Sequence, residues 1–353
     1  MARGLAVLVS LVVVGTGCSS SSSQPIDPVA TAYCAECSED SSCEPVVSET
    51  ILAACTEETR AWYDCAIENA CVTEPCDALF DARTLCLRRS PRDQVKVRFI
   101  AVRPSANLGH RGVGPTSPEN PFPENSISSF VAAMDAGADG ISFDVEITAD
   151  GQLVIMHDDT LDRTTDCTGC VSAMTLDEIR TCRLLDGEGS PTEQPPPTLL
   201  EAYGALEANA IMDLEMKVFG EDCQTDTTGP EELATRVLEE VTLLGGEGRT
   251  VFSSFDETAA ALVKTERPGY YAALLSANPG PELVEKALEL DQDAIHPLFT
   301  VTAETVQAAL DAGLQVNIWT VNTAELMAEQ IEKGSTGIIT DNPAILVEVL
   351  EEL

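Results

Sequence analysis

Two histidines stand where proton transfer would need them. His110 in NLGHRG and His157 in GISFDVEITADGQLVIMHDD each close an apolar run beside charged residues, in a chain that has 3 histidines in all. An unperturbed imidazole titrates near neutrality, so one ring can take a proton from a nucleophile while the other protonates a leaving oxygen, chemistry suited to a phosphate ester. If Asp150 and Gly151 form a two-residue hairpin turn, Ala149 faces Gln152, and counting outward sets Asp144 directly opposite His157. Side chains so opposed start about 5 Å apart. Period-two alternation puts Ser142, Asp144 and Glu146 on one face of their strand, and that face is the candidate site. The third histidine, His296 in DAIHPLF, reads as a hydrogen-bonded structural residue.

These groups need a frame. From about residue 97, apolar strands such as DGISFDV, AIMDLEMK, TVFSSF, YYAALLS, DAIHPLF and QVNIWTV alternate with amphipathic helices such as PEELATRVLEEVTLLG, PELVEKALEL, TAETVQAALDAG and TAELMAEQIEKG. This is the α/β pattern of a parallel sheet, and about eight strands over roughly 250 residues fit a TIM-type (β/α)8 barrel. No GxGxxG follows the first strand, which weighs against a dinucleotide fold. In a barrel, reactive side chains gather at the C-terminal ends of the strands, where His110, Trp319 and Phe255 fall. Trp319 and Phe255 are expected as pocket wall or core.

The segment before the barrel has a different character. MARGLAVLVSLVVVGTGC carries one basic residue, a short apolar run and small residues ahead of Cys18, the pattern of an export signal over residues 1–17. It resembles a bacterial lipoprotein signal, which implies lipidation of Cys18, a flexible Ser-rich tether over 18–30 and a place in the cell envelope. Residues 31–92 hold eight cysteines, from Cys34 to Cys86, at helical spacings, which predicts a small, mainly helical, disulfide-rich module. Setting Cys18 aside from the 13 cysteines leaves 12, an even number that favours disulfides in an exported protein. Cys167, Cys170, Cys182 and Cys223 therefore read as staples of loops at the barrel rim, in any of three pairings. With 59 acidic against 20 basic residues and a net charge of -39, the surface repels nucleic acid and anionic membranes. Membrane contact is expected only through the lipid anchor.

The motifs GHRG, PENSISSF, AGADGISFDVEITADGQLVIMHDDTLDRTT, DLEMK, SSFD, VNIWTVN and GIITDNP follow in an order and spacing that resemble the glycerophosphodiester phosphodiesterase family over about residues 97 to 353. The resemblance implies a TIM barrel that hydrolyses glycerophosphodiesters to glycerol 3-phosphate and an alcohol with a divalent metal ion, Ca2+ or Mg2+. It gives His110 and His157 the acid and base roles, Asp144 and Glu215 the metal, and Arg111 and Lys217 the phosphate. Glu124 and Trp319 are expected at the substrate, Trp319 toward its glycerol side. Where the family carries a further metal-binding glutamate, this chain has Ser142. Glu124 and Glu146 are the substitutes at hand, Glu146 reading chiefly as a solvated acid at the strand end. Competing readings are a barrel that has lost turnover and serves as an envelope binding protein, and a phospholipase D-like action on lyso-lipids.

Overall fold

The strands that follow residue 105 alternate a residue for the helices with a residue for a closed interior, and the result is a ring. The computed structural model describes residues 91–101, 104–218, 223 and 229–353. The expectations for the signal, Cys18, the tether and the cysteine-rich module lie outside the described residues, apart from Pro91 and Arg92.

Eight strands run parallel: β1 (Ala106–His110), β2 (Gly140–Ile147), β4 (Ile211–Met216), β5 (Thr250–Ser254), β6 (Tyr271–Ser276), β7 (Ala294–Pro297), β8 (Gln315–Ile318) and β9 (Gly337–Thr340). They pair in sequence, and β1 pairs with both β2 and β9, which closes the barrel. A short β3 (Leu153–Ile155) runs antiparallel to the far end of β2. The helices are α1 (Pro91–Ala101), α2 (Ile127–Asp135), α3 (Leu176–Ile179), α4 (Leu199–Ala205), α5 (Pro230–Leu243), α6 (Glu257–Glu266), α7 (Pro281–Glu289), α8 (Ala303–Asp311), α9 (Ala324–Lys333) and α10 (Pro343–Glu352). Ser126, Thr198, Asp256, Thr302 and Thr323 accept first-turn backbone N–H groups, and Pro230, Pro281 and Pro343 open their helices where no N–H is needed.

The alternation decides what lies where. Ile141, Phe143, Val145 and Ile147 of β2, with Met212 and Leu214 of β4, pack outward against helix residues such as Phe130 and Val237. Burial of each such large side chain contributes about 1.5–3 kcal/mol. Ser142, Asp144 and Glu146 take the inward face, as the period-two reading expects.

Inside the barrel, the lower end is apolar and the middle is polar. Ala106, Leu108, Ile211, Val251, Tyr271 and Ala294 pack with Val95 and Phe99 of α1, and Phe99 stacks on Tyr271 at 6.2 Å. Above them Ser253 donates to Asp213 at 2.9 Å, and Asn317 Nδ2 donates to Nε2 of the fully buried His296 at 2.9 Å. His296 is thus structural, and burial holds its pKa below the ordinary 6.5.

Helix α1 corrects the boundary placed near residue 97. It closes the N-terminal end of the barrel: Arg98 donates to the carbonyls of Asn209 and Gly248, just ahead of β4 and β5, and Arg92, Lys96 and Lys264 converge on buried Asp293. The compact unit begins at Arg89. Its pattern was hard to read because a plug helix stands outside the β/α rhythm that the strands and helices after it repeat.

The hairpin after β2 forms, one residue out of the expected register. Thr148 N donates to Gln152 O at 2.9 Å, and Gly151 adopts φ +70°, so the turn has three residues rather than two. Thr148 Oγ1 bonds Asp150 within the turn, and Asp150 also accepts from Leu176 N at 3.0 Å. Asp144 consequently falls opposite Met156, whose N–H donates to its carbonyl at 3.0 Å, and not opposite His157.

Candidate active site

His110 ends β1 and its Nδ1 lies 2.7 Å from Asp341 Oδ1. A carboxylate only accepts, so Nδ1 donates and Nε2 is left for the cavity. Asn322 fixes Asp341 in turn, donating Nδ2 to its Oδ2 at 2.5 Å and accepting from its backbone N–H at 2.9 Å. The chain then makes a sharp corner, with Arg111 at φ +51° and Gly112 at φ +97°. A Cβ on Gly112 would sit 2.2 Å from Ser129 Oγ on α2, so only glycine lets the corner lie against that helix.

Arg111 turns inward. Its Nη1 donates to Glu124 Oε1 at 2.8 Å, and its Nε faces Asp144 Oδ2 at 3.5 Å. Arg163 donates to both oxygens of Glu124, at 2.7 and 2.8 Å, and also to Asp158. Glu124 is 2% exposed and fully engaged. Its two arginine partners hold it in place, and it in turn holds Arg111.

His157 reaches the site by a bend beyond β3, not by strand pairing with Asp144. Its Nδ1 lies 2.6 Å from Asp158 Oδ1, and its Nε2 is 3.4 Å from Lys217 Nζ. Lys217 is the hub: its Nζ donates to Glu215 Oε1 at 2.9 Å and stands 4.0 Å from Asp144 Oδ1. Asn125, itself at φ +55°, donates to Asp144 Oδ2 at 2.8 Å. His110, Arg111, Asp144, His157, Glu215 and Lys217 are therefore all gathered at the C-terminal mouth. Asp341, Asp158, Asn125, Asn322 and Arg163 complete the arrangement. Asp158, Arg163 and Asp341 lie within the motifs HDDTLDRTT and GIITDNP, so the signal was present without a partner to give it meaning.

The charges are unequal. Burial works against the Asp144 carboxylate, yet Arg111, His157 and Lys217, with the Asn125 hydrogen bond, outweigh it and hold its pKa down. Glu215 moves the other way, raised by burial and by the Asp144 charge, with Lys217 offsetting only part. Burial disfavours the Lys217 ammonium, but Glu215 and Asp144 more than restore it. Asp144 and Glu215 stand in register on adjacent strands with Ser142 on the same inward face. Paired hard oxygen donors, one of them short of positive charge, fit a divalent cation of the calcium or magnesium kind.

At the rim, Trp319 donates Nε1 to the His296 carbonyl at 2.7 Å and meets half-exposed Phe255 edge to face, with centroids 5.5 Å apart. Trp319 thus belongs to both the core and the cavity wall. Cys167 pairs with Cys182 and Cys170 with Cys223, stapling the long segment after His157 to the chain beyond β4. The grouping of Asp166, Cys167 and Cys182 is accordingly a disulfide beside an acid, not a thiolate metal site.

A TIM-type barrel with paired imidazoles, inward acids and cationic side chains at its mouth defines a phosphodiester-cleaving class of enzyme. The chain belongs to the glycerophosphoryl diester phosphodiesterase family, whose model matches residues 110–345. It is 32% identical over 249 residues to a glycerophosphodiester phosphodiesterase of Caldanaerobacter subterraneus subsp. tengcongensis, a match spanning 69% of this chain and 97% of that one. A solved barrel from Silicibacter pomeroyi DSS-3 superposes with a TM-score of 0.61 at 26% identity, covering 71% of this chain and 95% of its own. An Oleispira antarctica phosphodiesterase, solved with the product sn-glycerol-3-phosphate, shares the fold at 23% identity and TM-score 0.60, covering 72% and 99%.

Proposed function

We propose that this enzyme hydrolyses glycerophosphodiesters to glycerol 3-phosphate and an alcohol, with His110 and His157 as its acid and base. The observation that carries the reading is the matched orientation of the two imidazoles: each is held through Nδ1 by a carboxylate, Asp341 or Asp158, which turns its Nε2 inward, that of His157 to a place beside the Lys217 ammonium. Arg111 and Lys217 neutralise the phosphodiester oxygens, and preorganised charge of this kind is worth several kcal/mol in a site shielded from water. One imidazole takes the proton of the attacking oxygen, either water directly or the substrate's own glycerol hydroxyl with water then opening the cyclic phosphate, as the new oxygen–phosphorus bond forms. Its counterpart gives a proton to the departing alkoxide as the ester bond breaks. Asp144 and Glu215 would hold the divalent ion, which supplies Lewis-acid polarisation of the phosphoryl oxygens.

The export signal and the oxidised cysteine pairs support placing this activity outside the cytoplasm, on an envelope tether at Cys18. Release of glycerol 3-phosphate from glycerophosphocholine, with and without Ca2+, Mg2+ and chelator, tests the chemistry. His110→Ala and His157→Ala should each lower turnover by about 10²–10⁴-fold. Undiminished hydrolysis in both variants would refute the assignment.

A further inference from the structure

Glu146 is the most anomalous acid among the described residues. It is 0% exposed, and neither carboxylate oxygen has a hydrogen-bond partner. It lies on the inward face of β2, two residues beyond Asp144, and its charged surroundings are Asp159, Lys217, Asp144 and Asp158. A buried carboxylate left bare is costly, and protonation alone does not repair the deficit, because the resulting hydroxyl and carbonyl would still lack partners. A cation satisfies both oxygens at once.

We propose that Glu146 is a ligand of the divalent cation, sharing it with Asp144 and Glu215, and so supplies from further along the strand the acid that Ser142 does not. The inference rests on the cation site of the proposed function. Two inward residues on one strand stand about 7 Å apart. Two carboxylate oxygens on one calcium ion stand up to about 5 Å apart. The longer glutamate arm covers the difference. A shell so extended along β2 suits Ca2+, which takes six to eight oxygens in adaptable geometry, better than Mg2+.

Calorimetric titration of the chelator-stripped chain with Ca2+ and with Mg2+, alongside thermal melts with and without each ion, reads this without any turnover measurement. Glu146→Gln should weaken Ca2+ binding about tenfold or more and abolish the ion-induced rise in Tm, while its ion-free Tm stays at or above that of the parent. Glu146→Met, which fills the same space with hydrocarbon, gives the same reading if the amide folds poorly. Equal Ca2+ affinity in parent and variant overturns the role of Glu146 and leaves the cation site standing. A parent chain that binds neither ion removes the cation site itself and the inference with it.

Discussion

Lys217 Nζ stands 3.4 Å from His157 Nε2, so the ammonium and the imidazole proposed for phosphate contact and for proton transfer share one position at the mouth of the barrel. The same ammonium separates Glu215 from Asp144. Lys217→Gln should therefore reduce turnover by about 10²–10³-fold, the usual effect of removing one preorganised charge-stabilising donor. Steady-state kinetics of glycerol 3-phosphate release check this, and a loss under fivefold would show that the ammonium does not act on the reacting group.

Arg163 joins two halves of the site, since it grips Glu124, which holds Arg111, and Asp158, which orients His157. Arg163→Ala and Glu124→Gln should each cost about tenfold in kcat/KM, and the double variant little more than the worse single, because the two act as one unit. Fully additive losses in a double-mutant cycle would dissolve that coupling.

Several of these partners were beyond the reach of sequence reasoning. Period two made the inward set Ser142, Asp144 and Glu146 legible, and the strand–helix rhythm made the barrel legible. Asp341, however, lies 231 residues from His110, and only barrel closure brings them together. Glu124 carried no mark of its two arginine partners, 13 and 39 residues away. Glu146 looked solvated because an acid at a strand end ordinarily is, and its complete burial inside the folded barrel leaves no trace in the strand's own pattern. The hairpin count failed by one residue because Asp-Gly is compatible with both a two-residue and a three-residue turn, and Gly151 took the latter.

The Cys170–Cys223 bridge spans 53 residues of chain and is expected to restrict the unfolded state more than the native one. Replacing both cysteines by serine should lower stability by about 2–4 kcal/mol, seen as a reduced melting temperature. An unaltered melt would mean that the loop is held by its noncovalent packing alone.

His296 gives the fold an acid sensitivity of its own. Burial depresses its pKa, so on acidification the unfolded chain takes up the proton first. The stability tied to its unprotonated state is whole above about pH 6.5 and is lost as pH falls toward the depressed folded value. His296→Gln should flatten the fall in urea midpoint between about pH 7 and pH 5. A slope equal to the parent's would assign that sensitivity to other groups.

Asp213, Ser253, His296 and Asn317 form a sealed hydrogen-bonded layer beneath Asp144 and Glu215, none of them more than 1% exposed. No solvent stands ready to replace a partner lost from such a layer, so an exchange there leaves a bare polar group inside the barrel. Damage to this hidden tier is therefore passed up the same strands to the mouth, with no residue at the mouth having been touched.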